Sequence, residues 1–235
     1  MRTIRFGMIV ALVIAIGSTV GWVGPGRAQA PAEKKAPPPL KAPDGYILVE
    51  EDVTLILLDE ADEHLQKGRE GFLKKDLKAA AQEIREGAAF LRLEAGRATA
   101  DGRKALLAAV RDLGKLADGV ERGTVPAVKD LDAVFARAHQ ALARHHHLKA
   151  AAAWGKKAAR QAGQDLKAAA THLEHAAAWV GKKGEAGVVE MVKGTRLLAG
   201  KLIEGAGWVP AEVGKGLESI GKEIEKLGKA IEPAK

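Results

Sequence analysis

Apolar residues recur along most of this chain at the three- and four-residue spacing that lines one face of a helix. Leu58, Ala61, Leu65, Gly68 and Phe72 predict a first helix over about 51–75. Asp76 then stands where a side chain can accept the orphan backbone N–H groups of a second helix. That helix carries the sharpest stripe: Leu77, Ala81, Ile84, Ala88, Leu91, Ala95 and Ala98. Large residues and alanines each recur every seven positions, which lets two antiparallel axes approach near the low end of the ~8–10 Å range. A third helix is expected over about 101–120 and a fourth over about 127–162, with Gly155 as an irregularity. Asp165 caps a fifth, striped by Leu166, Ala170, Leu173, Ala177 and Val180, and a sixth spans about 185–206. Pro126 and Pro210 each suit the first turn of the helix that follows. No alternating strand-like segment is longer than the apolar lead-in at 46–49, so the class is all-α, a helical bundle of six or seven helices.

The chain also repeats itself. DLKAAA occurs at 76–81 and again at 165–170, an offset of 89. Val125-Pro126-Ala127 answers Val209-Pro210-Ala211 at offset 84, so small loop deletions account for the drift. The expectation is two tandem three-helix units, 46–126 and 127–210, each covering the apolar face of the other. Residues 211–235 form a separate heptad helix with the seam Val213, Leu217, Ile220, Ile224, Leu227 and Ile231. Gly214, Gly221 and Gly228 flank the seam, and each costs ~1 kcal/mol relative to alanine in a helix interior. Such a seam has to be buried: in the bundle itself, in a homo-oligomer, or against a membrane surface. Val209-Pro210 starts it as Val125-Pro126 starts the fourth helix, which favours the bundle.

Residues 1–30 change the picture of where the protein works. Arg2 and Arg5 precede an apolar run at 6–16, and Ala28-Gln29-Ala30 offers the small-x-small pattern of signal cleavage. A signal peptide cleaved after Ala30 implies a periplasmic or secreted protein; retained, the segment would be an N-terminal membrane anchor. Residues 31–45 are a Pro-, Ala- and Lys-rich linker. Removing Arg2, Arg5 and Arg27 lowers Lys+Arg from 37 to 34 against 30 acids, a balance of +4 that suits solubility rather than nucleic acid. Cysteine is absent, which excludes disulfides, thiolate metal sites and a thiol nucleophile. Ser219 is the one serine beyond the leader and lies in the heptad helix, so serine hydrolysis is excluded as well. Glu-x-x-His, His-Glu-x-x-His, P-loop and Gly-x-Ser-x-Gly motifs are missing, and the chain reads as no enzyme with no cofactor. Alanine and glycine in the seams leave little room for an apolar pocket of ~300 Å³ or more.

Histidine is the remaining chemistry. Six of the seven lie between 139 and 175: His139, His145, His146, His147, His172 and His175. Successive helix residues point ~100° apart, so His145, His146 and His147 cannot all face one ion. HLKAAAAW at 147–154 and HLEHAAAW at 172–179 suggest another use. With helices 4 and 5 turning near 163–164, His147 lies level with Val180 and His172 with Gly155, and each histidine packs beside the tryptophan of the other helix. The second reading is a metal or haem site on His172 and His175, three residues apart, with Glu83 and Glu86 as partners across the repeat. Asp59, Glu60, Asp62 and Glu63 read as a solvated acidic face.

The two Leu/Ala stripes after Asp76 and Asp165, with the Gly- and Val-Pro-containing link between them, resemble the YfdX-like group of bacterial periplasmic proteins over about 46–184. The resemblance implies a non-catalytic, stress-related envelope protein. The composition points the same way: a non-enzymatic exported bundle with a binding or structural role and an unidentified protein or envelope partner. A periplasmic metal- or haem-binding protein using His172 and His175 is the alternative.

Overall fold

The computed structural model describes residues 53–231; the signal peptide, the linker and the lead-in at 46–49 lie outside them. Seven α-helices and no strands occur among the described residues: α1 Val53–Leu73, α2 Leu77–Arg97, α3 Ala100–Glu121, α4 Val128–Gly155, α5 Ala159–Trp179, α6 Ala186–Glu204 and α7 Pro210–Ile231. None is long and apolar enough to cross a membrane. The all-α class expected from the periodicity is the one observed.

Each successive pair of helices from α1 to α6 packs together, and α7 returns to lie on α4 and α6. The α4/α5 pair is the most extensive of these interfaces. The stripes behave as expected: Ala81, Ile84, Ala88, Leu91 and Ala95 of α2, and Leu166, Ala170, Leu173 and Ala177 of α5, are all buried. Asp76 caps α2, its side chain accepting from the Ala79 N–H at 3.2 Å. Two apolar clusters result, one around α1–α3 and one around α5–α7, and α4 lends residues to both. Trp179 touches both clusters and meets Phe135 edge-on at 5.1 Å.

Three expectations about the second half need correction. The fourth helix does not run to 162. It ends at Gly155, and Lys157 takes a left-handed φ of 61° in the turn that follows. The turn at 163–164 is therefore absent, and Asp165 caps nothing: it lies inside α5, seven residues beyond the actual cap position, Ala158, and is buried. The DLKAAA motif has slipped by one heptad relative to its first occurrence, which leaves the apolar face unchanged. Pro126 stands one residue before the cap Ala127 instead of in the first turn, where Asp130 accepts from the Ala127 N–H at 3.2 Å.

The α7 seam is filled within the chain, all six of its apolar residues being buried. No apolar stripe on α7 remains for a second copy or a bilayer. Two of its three flanking glycines owe their place to contact: a Cβ at Gly221 would stand 2.8 Å from His147 Cε1, and one at Gly228 2.8 Å from the Gln140 amide, whereas Gly214 faces open space. Gly163 marks a close approach of α5 to the backbone of α6, where a Cβ would stand 2.7 Å from the Ala199 carbonyl oxygen and 2.8 Å from Leu202 Cβ. Backbone cannot yield as a side chain can. Gly163→Ala should therefore destabilise by about 1–3 kcal/mol, while Gly214→Ala should stabilise by about 1 kcal/mol, both read from denaturant melts. Equal and opposite-to-expected shifts would show that α5 and α6 are not so closely apposed.

Candidate metal centre

The α4/α5 register brings the histidines together. His139 and His146 are seven apart on α4; Asp165 and His172 are seven apart on α5. Antiparallel packing sets these two pairs against each other, and the result is a buried row of imidazoles. His175 meets His139 at a centroid distance of 5.2 Å, His139 meets His172 at 5.4 Å, His172 stacks on His146 at 5.6 Å, and His146 meets His145 at 4.8 Å. His139, His145, His146 and His172 are at most 1% exposed. The expected histidine–tryptophan packing does not occur. Trp179 goes to Phe135 and Trp154 to Trp208, because the earlier turn shifts α5 along α4. His147 points away from the row and meets the Leu217 carbonyl of α7 at 2.9 Å.

One end of the row is built on α1, α4 and α5. His139, His172 and His175 each offer a ring nitrogen, and these atoms lie within 4.8 Å of one another. The Nδ1 atoms of His139 and His172 are 3.2 Å apart. An ion at the usual distance of about 2.0–2.1 Å from both would see them at roughly 100°, close to a tetrahedral angle. Asp62 of α1 stands behind the pair, its Oδ1 3.1 Å from His139 Nε2 and 3.3 Å from His175 Nδ1. Both contacts are within charge-pairing distance but off the line of a hydrogen bond. A carboxylate there favours the N–H on those two atoms, so Nδ1 of His139 and Nε2 of His175 keep their lone pairs. Asp62 thus belongs to the centre and not to a solvated acidic face.

The other end joins α2, α4 and α5. His145 Nε2 is 3.0 Å from Glu94 Oε2, and His146 Nδ1 is 3.0 Å from Asp165 Oδ1. Arg97 reaches Glu94 at 3.3 Å and Lys149 reaches Asp165 at 3.2 Å. Gly102 of α3 makes room, since a Cβ there would come 3.2 Å from His145 Nδ1.

Burial governs the charge states. It pushes His139, His145 and His172 below the ordinary imidazole value, His172 furthest because its other neighbours are imidazoles. The carboxylates of Asp62 and Glu94 go the opposite way. Burial alone would raise them, but His139 and His175 around Asp62, and His145, His146 and Arg97 around Glu94, outweigh it and hold both below the carboxylate range. Two buried ring nitrogens in the row, His145 Nδ1 and His172 Nε2, have neither a hydrogen-bond nor an ion-pair partner, whereas His139 Nε2 and His175 Nδ1 face the Asp62 carboxylate. Buried polar atoms are rarely left so, and each costs roughly 1–3 kcal/mol.

Of the residues singled out by sequence, His172 and His175 lie in the row, while Glu83 and Glu86 do not. Glu83 meets His64 at 2.7 Å, and Glu86 accepts from Gln82. His139, Asp62, Glu94 and Asp165 were the residues that sequence reasoning passed over for this role. For His139 and Asp165 the signal was the seven-residue spacing to His146 and His172 on otherwise apolar faces; Asp62 and Glu94 carried no such signal. His175 and Asp62 line an open cleft of about 450 Å³ with Gln66, Arg69 and Trp179, so the row reaches solvent at that end. No protein-family model, curated protein or solved structure matches the chain.

The lowered imidazoles have a consequence for stability. Near the ordinary value of 6.5, the unfolded chain binds protons that folded His139, His145 and His172 refuse, so stability rises with pH in this window and falls as pH drops through it. Asp62 and Glu94 stay charged there and add their own loss only at more acid pH. Metal-free protein should lose melting temperature steadily from about pH 6.5 to about pH 5, and His172→Gln should flatten that slope. An unchanged slope in the variant would place the titration elsewhere.

Proposed function

We propose that this chain binds a late first-row divalent metal ion through His139, His172 and His175, with Asp62 orienting the rings, and that it does so without catalysis. The reading rests on one observation: one ring nitrogen from each of His139, His172 and His175 lies within 4.8 Å of the others, with His139 and His172 fully buried. Neutral imidazole is the form that binds metal, and burial favours that form at His139 and His172. Nitrogen donors with a carboxylate and no thiolate suit zinc, copper(II) or nickel better than calcium or magnesium. Haem fits less well. His172 has imidazoles at 5.4 and 5.6 Å on two sides, which leaves no flat slot for a porphyrin.

Binding without turnover follows from depth. An ion between His139 and His172 sits behind Asp62 and His175, and a substrate in the cleft would meet those two side chains first. With residues 1–30 read as a signal peptide, this binding would take place in the periplasm or outside the cell, the ion being acquired after export. A role in the envelope under stress, as the YfdX-like likeness implies, is compatible with a protein that sequesters or carries metal.

A purely structural histidine network is the competing reading, and zinc separates the two. For chelator-treated protein, zinc at 100 times its Kd should add about 2.7 kcal/mol of stability, a rise in melting temperature of about 5–10 °C for a domain of this size. Titration calorimetry should give the matching heat. His139→Gln and His172→Gln should each remove the tightest zinc-binding heat and the share of the rise that goes with it, whereas Glu83→Gln should keep both. A tightest site unchanged by both histidine changes, or no rise in the native sequence, would sink the proposal.

A further inference from the structure

We infer that the chain holds a second ion of the same class at Glu94, His145 and His146, and that Arg97 and Lys149 substitute for its charge until it arrives. This rests on the metal reading of the first centre but is built from different residues. Glu94, His145 and His146 are at most 3% exposed, and their donor atoms lie within 4.8 Å of one another. Glu94 Oε2 and His145 Nε2, 3.0 Å apart, are spaced like two corners of a coordination tetrahedron. Asp165 stands behind His146 as Asp62 stands behind His139, at 3.0 Å from Nδ1. His145 Nδ1 is buried with no partner.

The two ends of the row differ in how their negative charge is balanced. Asp62 has only imidazoles at ion-pair distance among the described residues. Glu94 and Asp165 together bury two charges, which need two positive charges near them. Arg97 and Lys149 supply them, one each, from an open cleft of about 540 Å³ that Asp165 also lines. Both are long side chains with a solvent-facing alternative: they can leave the carboxylates for the cleft without moving the backbone. A divalent ion bound by Glu94, His145 and His146 restores the balance that their departure removes. The site therefore works by exchange, two monovalent side-chain cations for one divalent metal. Stacking of His146 on His172, at 16° between planes, places the two ions on adjoining rings.

Exchange makes an unusual demand on mutagenesis: removing a positive side chain should tighten metal binding. Zinc titrated into the chelator-treated full chain should fill two sites, the second weaker and loosened by salt. Glu94→Gln should remove the second site alone, and His172→Gln the first alone. Lys149→Met should strengthen the second site about ten-fold, with circular dichroism and the first site unchanged. One equivalent, lost in His172→Gln and kept in Glu94→Gln, would overturn the second site and leave the first standing. Failure to bind any zinc would overturn both. Two equivalents with the second unchanged or weakened in Lys149→Met would overturn the exchange.

Discussion

The register of α5 against α4 is the constraint from which the rest of this protein follows. Both helices carry small residues on the shared face, and alanine specifies closeness without specifying position along the axis. Position is set by the turn at Lys156–Ala158, and with it the meeting of His139 and His146 with Asp165 and His172. Had the turn come one heptad later, the apolar stripes would have met equally well. The polar groups would not. Asp165 would have capped a helix in solvent, His146 would have been buried with no acid at Nδ1, and His172 would have met the opposite helix near Gly155.

This explains what could and could not be read from residues alone. The helices and their buried faces were legible because an apolar period of seven survives any shift by seven. Asp76 was legible as a cap because a strong stripe begins right after it. Asp165 precedes the same letters and is a core residue, since helix α5 had already begun at Ala159. Nothing in the periodicity marks which heptad opens a helix. Lys157, left-handed though not glycine, gives no composition signal for a turn. The centre was hidden for the same reason: its residues come from α1, α2, α4 and α5, and only the register converts their spacings into distances. The polar heptad pairs were the trace that remained visible.

The polar row also has an architectural consequence. It lies where α4 is shared between two apolar clusters, and it interrupts what would otherwise be one continuous core. A row of isosteric aliphatic residues would fill the same space with no orphaned nitrogens and no buried carboxylates, and buried ionic groups are often replaceable in that way at no loss of stability. Stability alone therefore does not account for five imidazoles and three acids at this place. Asp62 stands behind His139 and His175, and Asp165 behind His146, so that each favours the proton on the nitrogen facing it, an arrangement that suits a ligand better than a packed core.

The surrounding helices hold the row of imidazoles in place. α7 holds α4 from the far side, with His147 against the Leu217 carbonyl and Gly221 giving the ring its place. Of three successive histidines on one turn, His145 is held by α2, His146 by α5 and His147 by α7. The ~100° between neighbouring side chains, which forbids all three from sharing an ion, is what lets one helical turn clamp three different helices. Two of those clamps end in carboxylates and the third in a carbonyl. The turn of α4 from His145 to His147 is thus both the mechanical centre of the bundle and the wall of the candidate second site, so filling that site should stiffen α2, α5 and α7 together.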